Sequence, residues 1–233
     1  MQRLKALSPL LLLILVGIVL FASGALDSLR PERLIGDQNE LRLAIAASPW
    51  LSRLAFIGMI TLSVATGVPG TIVLILAGGM LFGVAEGTVW SAIGLVAGSL
   101  LLFLASRYAF RDGQRQPPKL VERLRHGFLA HPASYTLFLR LVPVFPFGAV
   151  TVALAWLRCP LWIFLGASAF GGTVMLIFET AIGAGLAAHV ASDNTLSIGL
   201  LLDPHIALPL LALAVLALIP VALGRRRNAP APP

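Results

Sequence analysis

The sequence predicts an all-α polytopic membrane protein, with about four full transmembrane helices and two oppositely oriented re-entrant helical hairpins that form an inverted repeat. Three observations predict it. The 233 residues are 58% hydrophobic and only 12% charged, with a mean hydropathy of +0.93, whereas soluble domains carry about 25% charged residues. The basic residues gather in a few places rather than spreading along the chain. Two apolar stretches are broken by glycine and proline where a simple span would tolerate neither.

The first segment, 1–26, holds an uncharged run behind Arg3 and Lys5. Its apolar part is long for a signal peptide, so it is expected to stay as an uncleaved transmembrane helix. Residues 27–50 form an outer loop, because 27–53 balance four acids against four arginines. Further clear spans fall at 87–106, 161–183 and 205–223, each near the ~20 apolar residues that cross a bilayer. An outer loop, 186–204, separates the last two, and a basic, Pro-rich tail covers 224–233. Arg3, Lys5, the basic loop 107–132 and the Arg225–Arg227 cluster should face the cytoplasm by the positive-inside rule.

Stretches 51–84 and 134–157 then have the same side of the membrane at both ends. Neither can cross once, and each is short for two full spans. Each should enter, turn and leave by one face. The first breaks at Thr66-Gly67-Val68-Pro69-Gly70 and the second at Pro143-Val144-Phe145-Pro146. Proline removes a backbone donor and breaks the helical ladder, and such irregular backbone at membrane depth belongs inside protein or beside a wet cavity. An offset of 77 residues pairs Pro69 with Pro146 and Gly94 with Gly171, a weak internal match that the topology strengthens. Trp50 and Trp90 fall at one expected interface, Trp156 and Trp162 at the other.

Arg140 is the sharpest candidate for chemistry. It lies nine residues beyond His131, about 13 Å into the membrane along a helix. A charge at that depth faces a cavity or a partner, the competing reading being an arginine that snorkels to the headgroups. Arg107 and Arg158 read, on position alone, as interfacial anchors. Glu179 lies inside the 161–183 span, on the outer-leaflet side, where a carboxylate either carries a proton or plays a structural part. Glu86 stands at a helix entrance and complements the helix dipole there. Cys159 reads as a packing residue, and one cysteine excludes an internal disulfide.

TGVPGTIVLILAGGMLFG, the FLASR of Phe103–Arg107, the basic loop and FLRLVPVFPFGAV together resemble the DedA superfamily, most closely its VTT, or SNARE-associated Golgi protein, branch, over 55–185. The resemblance implies a core, 51–185, with two facing re-entrant hairpins. It also implies phospholipid scrambling, as in eukaryotic members, or the recycling of undecaprenyl phosphate and proton-dependent homeostasis, as in bacterial ones. Phe103 and Arg107 match the family's aromatic-x-x-x-basic motif, and Arg140, Pro143 and Pro146 match its second-hairpin motif. The sequence departs from the family in having no acid within 51–84, the nearest being Glu40 and Glu86, and in Tyr108-Ala109 where a glycine often stands.

The expected function is therefore a membrane lipid transporter or scramblase of the bacterial cytoplasmic membrane, with both termini in the cytoplasm. Its substrate would be a phosphate-headed lipid, bound by Arg140, Arg107, Phe103 and the turns at Gly67, Pro69, Gly70, Pro143 and Pro146. Glu179 and Glu86 are the candidates for proton coupling. The alternatives are a secondary transporter of a small ion or anionic solute, and a membrane-assembly factor that transports nothing. No H-E-x-x-H, G-x-S-x-G or Walker motif occurs, so an enzyme is not expected, and neither is a cofactor or a metal site. Expected partners are membrane lipids and a proton, with a homo-oligomer as a further option. Nucleic acid is excluded by where the charge of +7 lies.

Overall fold

The computed structural model describes residues 2–22, 38–68, 70–110, 119–142 and 146–193, with residues 204, 207–212 and 215. The described residues are all-α. In chain order the helices are α1 (Gln2–Ala22), α2 (Gln38–Ala47), α3 (Pro49–Thr66), α4 (Thr71–Ala109), α5 (Lys119–Ala130), α6 (Pro132–Leu141), α7 (Phe147–Trp156) and α8 (Leu161–Asp193). Three of them, Pro49–Thr66, Thr71–Ala109 and Leu161–His189, are long and apolar enough to cross a membrane, while Ser8–Val19 and Phe147–Trp156 are shorter apolar helices. The expected span at 205–223 lies mostly outside the described residues.

Helix boundaries follow from local chemistry. Pro49 and Pro132 stand at the first positions of α3 and α6, where a missing N–H costs nothing. At the end of α3, Gly67 adopts φ 68°, and the Val68 amide donates to the Ser63 carbonyl while that of Gly67 donates to Val64. These are the two bonds of a Schellman cap. The same pair closes α7, from Cys159 to Leu154 and from Arg158 to Ala155, with Arg158 at φ 55° in the glycine position. α6 stops at Val142, extended at φ −91° and ψ 111°, because the following Pro143 disfavours the α region.

α4 has 39 residues, about 58 Å at the helical rise, nearly twice the thickness of a bilayer core. It is not straight. Gly83 has φ 77° and ψ −179°, a conformation open essentially to glycine alone. The kink divides α4 into a short arm, 71–82, and a long arm, 84–109. The sequence places the end of the first helix pair and the start of the next span at 84–87, and the break occurs at Gly83 with no loop at all.

The offset of 77 residues now acquires structural content. It carries Gly83 to Pro160, which precedes α8, and the break after α3 to the break after α6. It also carries one packing contact onto another. A Cβ on Gly94 would lie 2.9 Å from the side chain of Ile60, and one on Gly171 would lie 3.5 Å from Leu137, the residue equivalent to Ile60. The chain thus repeats a helix, a break, a short helix, a second break and a long helix.

α4 and α8 form the main seam, with Gly79 against the backbone of Thr180 and Gly183 against that of Leu76. Small residues permit such close approach in lipid. Thr88 and Thr180 share a hydrogen bond of 2.7 Å inside it. Two apolar clusters flank the seam. One is built around Phe103, Phe164 and Leu154, and the other around Phe56, Ile60 and Leu176.

Aromatic groups mark two levels along the long arm of α4. Trp50 and Trp90 meet edge to face at 6.5 Å, and Phe110 lies 4.1 Å from Trp156. Trp90 and Phe110 are twenty residues apart on the helix, or about 30 Å, the thickness of a hydrocarbon core.

Candidate functional site

A cavity of about 830 Å³ opens where the two breaks converge, within the range of small-molecule sites. Ser63, Thr66, Gly67, Gly70 and Thr71 supply the wall on the first break. Arg140, Val142, Pro146 and Phe147 supply it on the second. Leu10 and Ile14 of α1 close one side, and Gly172, Met175, Leu176 and Glu179 of α8 form another. The last four stand at i, i+3, i+4 and i+7, one face of a helix.

Arg140 is only 4% exposed. Its guanidinium lies between two rings, with Cζ 3.9 Å from the centroid of Phe147 and 5.1 Å from that of Phe164. Nη1 donates to the Phe147 carbonyl at 3.3 Å and Nη2 to the Thr151 hydroxyl at 3.0 Å. Nε is buried and meets no acceptor, and no carboxylate pairs with the group, among the described residues. Gly171 of α8 makes room for it, since a Cβ there would lie 2.8 Å from Arg140 Cβ. A buried cation held by rings and neutral acceptors keeps its charge available to an anion.

Glu179 lines the same cavity and makes no hydrogen bond or ion pair with a described residue. The structure therefore brings together Arg140, Pro146, Gly67, Gly70 and Glu179 at one cavity. Pro69 and Pro143, also expected at the site, lie outside the described residues.

Three predicted residues are placed elsewhere. Phe103 is fully buried and stacks on Phe164 at 4.1 Å, so it supports one ring of the Arg140 cage from behind and is closed to a ligand. Arg107 is exposed, lies outside the cavity lining and donates from Nη1 to the Cys159 carbonyl at 2.9 Å. It caps the turn between α7 and α8, as a cation beside helix C-terminal carbonyls does. Glu86 pairs with Arg53 at 2.6 Å, in a cluster where the Arg53 guanidinium also faces Trp50, Phe82 and Trp90 at about 6 Å. That arrangement ties α3 to α4 across the Gly83 kink.

Sequence reasoning did not single out Phe147, Thr151 and Phe164, which hold Arg140. Thr151 sits eleven residues beyond Arg140 across the break, a separation of about 16 Å in an unbroken helix, so no local spacing announces the contact. The break folds α7 back beside α6 and makes the contact. Cys159 is fully buried, 3.7 Å from the Thr136 hydroxyl, as a packing residue should be. No group of three or more His, Cys, Asp and Glu side chains suited to a metal occurs among the described residues.

The model of the VTT domain matches residues 68–185, half of the chain, and takes in the wall from Gly70 to Glu179. The chain belongs to the VTT domain family. The resemblance read from the two Gly/Pro-broken stretches, the FLASR segment and the basic loop is thus borne out, and this VTT domain protein is a multi-pass integral membrane protein. It is also similar to the uncharacterized protein YqeD of Bacillus subtilis, at 29% identity over 125 residues, 52% of this chain and 58% of that protein. The chain thus matches little more than half the length of that relative. No solved structure matches it.

Proposed function

We propose that this VTT domain protein moves a phosphate-headed lipid between the leaflets of the bacterial cytoplasmic membrane, as a transporter or scramblase and not as an enzyme. Arg140 carries the reading. It is a buried guanidinium with a free Nε and no counterion among the described residues, at a cavity between two helix breaks. A charge at such a place is costly, and an anionic oxygen would offset the cost by a charge-assisted hydrogen bond.

In this reading α3 with the short arm of α4, and α6 with α7, are re-entrant hairpins that enter from opposite faces. Their breaks meet near the midplane, as in transporters built from inverted repeats. The cavity wall is mostly apolar, with Ser63, Thr66, Thr71, Arg140 and Glu179 as its polar side chains. Such a wall suits a molecule that is half apolar itself: the headgroup passes the polar residues and the acyl tails stay in the bilayer. Glycerophospholipid and undecaprenyl phosphate are the substrates that the family resemblance suggests.

The experiment compares wild-type protein with Arg140→Ala in liposomes that carry labelled lipids of both kinds. Wild type should move at least one of them faster than protein-free vesicles do, and Arg140→Ala should not. Transport of a soluble anion without either lipid would establish a solute transporter instead.

A further inference from the structure

Glu179 is the second ionisable side chain of the cavity. Among the lining residues, those from α1, α3, α4 and α7 carry no charge, and α6 contributes Arg140 alone. The two do not neutralise each other. Gly171 packs on Arg140 Cβ, and Glu179 stands eight residues further along α8, about 12 Å up the helix axis. The Arg140 guanidinium turns the other way, toward Phe164, which precedes Gly171 by seven residues. The cavity thus offers a cation at one end and, at the other, a carboxyl group with no partner among the described residues, along one face of α8.

We propose that Glu179 makes the cavity selective for zwitterionic over purely anionic phospholipid headgroups, an inference that rests on the lipid-moving reading above. A headgroup in transit meets the two stations in turn. Its phosphate is drawn to Arg140, and its ammonium, only a few bonds away from that phosphate, is drawn to Glu179. A headgroup bearing phosphate alone gains the first interaction and meets repulsion at the second, where the apolar walls weaken dielectric screening. Selection of this kind needs an unfavourable element against the wrong ligand, and a lone carboxylate on the wall supplies it.

The test uses the full chain in vesicles with two reporters labelled on the acyl chain, phosphatidylcholine and phosphatidylglycerol. Their headgroups carry net charges of zero and minus one. Wild type should move phosphatidylcholine faster. Glu179→Gln should speed phosphatidylglycerol relative to phosphatidylcholine, changing the ratio of rates by about tenfold. Glu179→Asp, which keeps the charge, should hold the wild-type preference and separates loss of charge from loss of fold. If wild type moves phosphatidylglycerol as fast as phosphatidylcholine, or if Glu179→Gln moves both lipids in the wild-type ratio, the inference is overturned and the lipid-moving reading stands. If neither phospholipid nor labelled undecaprenyl phosphate moves faster in wild-type vesicles than without protein, both fall.

Discussion

A guanidinium that is 4% exposed and has no carboxylate beside it among the described residues must be held by something other than an ion pair. Arg140 uses two rings, one hydroxyl and one carbonyl. Cation–π contacts are worth about 2 kcal/mol when desolvated, and the planar group presents its donors in a fixed fork that lysine cannot copy. Arg140→Lys should therefore reach the membrane and move lipid at no more than about a tenth of the wild-type rate, a factor worth about 1.4 kcal/mol, in the liposome assay. Arg107 makes a contrasting case. Arg107 itself is exposed and outside the cavity, and its bond to the Cys159 carbonyl is only part-buried, so Arg107→Ala should cost roughly 1 kcal/mol of stability and leave part of the transport. Equal loss of transport in Arg107→Ala and Arg140→Ala, at equal thermal stability, would put both arginines on the substrate path.

At the scale of elements, the breaks are what the molecule is built around, and glycine supports them. Gly83 holds a φ of 77° with ψ near 180°, a region that an L side chain occupies only under strain of about 1–3 kcal/mol. Gly83→Ala should lower the midpoint of thermal unfolding in detergent and loosen the short arm of α4 against α3, which a protease of broad specificity such as proteinase K would report as faster cleavage near the 67–70 turn. Gly171 answers a different need. A Cβ there would press on Arg140 Cβ at 2.8 Å, and overpacking of that kind costs about 1–3 kcal/mol. Gly171→Val should displace α6 and abolish transport, although the charge of Arg140 is intact. Both breaks were legible in the sequence, because Gly-x-Pro-Gly and Pro-x-x-Pro leave few alternatives in an apolar run. α2 and α5, inside stretches read as loops, were not. α5 carries Val121 and Phe128 seven residues apart, both buried, on an otherwise largely exposed helix, too sparse a pattern to stand out within 107–132, a stretch with six Lys and Arg residues. Nor was the pairing of Arg53 with Glu86 legible, since the chain folds back between them and no local spacing encodes it.

Across the whole molecule, charge and aromatic placement agree on a layered object. The aromatic groups at Trp50–Trp90 and Phe110–Trp156 lie about 30 Å apart along one helical arm, the distance between the interfaces of a bilayer. The basic residues of α5 follow the Phe110 end, and Arg53 with Glu86 mark the other. The positive-inside rule predicts an orientation with residues 108–132 in the cytoplasm and Trp50 and Trp90 at the outer interface. Single cysteines in a chain lacking Cys159 test this directly. One at Arg125, exposed on α5, should resist an impermeant thiol reagent in intact cells and react once the membrane is opened. One at Leu43, exposed on α2, should react in both. The two hairpins depend on this result, because each was assigned by having both ends on one side. If Arg125→Cys were labelled from outside while Leu43→Cys was protected, the protein would be inverted but its hairpins would stand. If both were labelled from one side, α3 and α4 together would connect the two positions without a net crossing, and the reading of 51–84 as a re-entrant pair followed by a full span would fail.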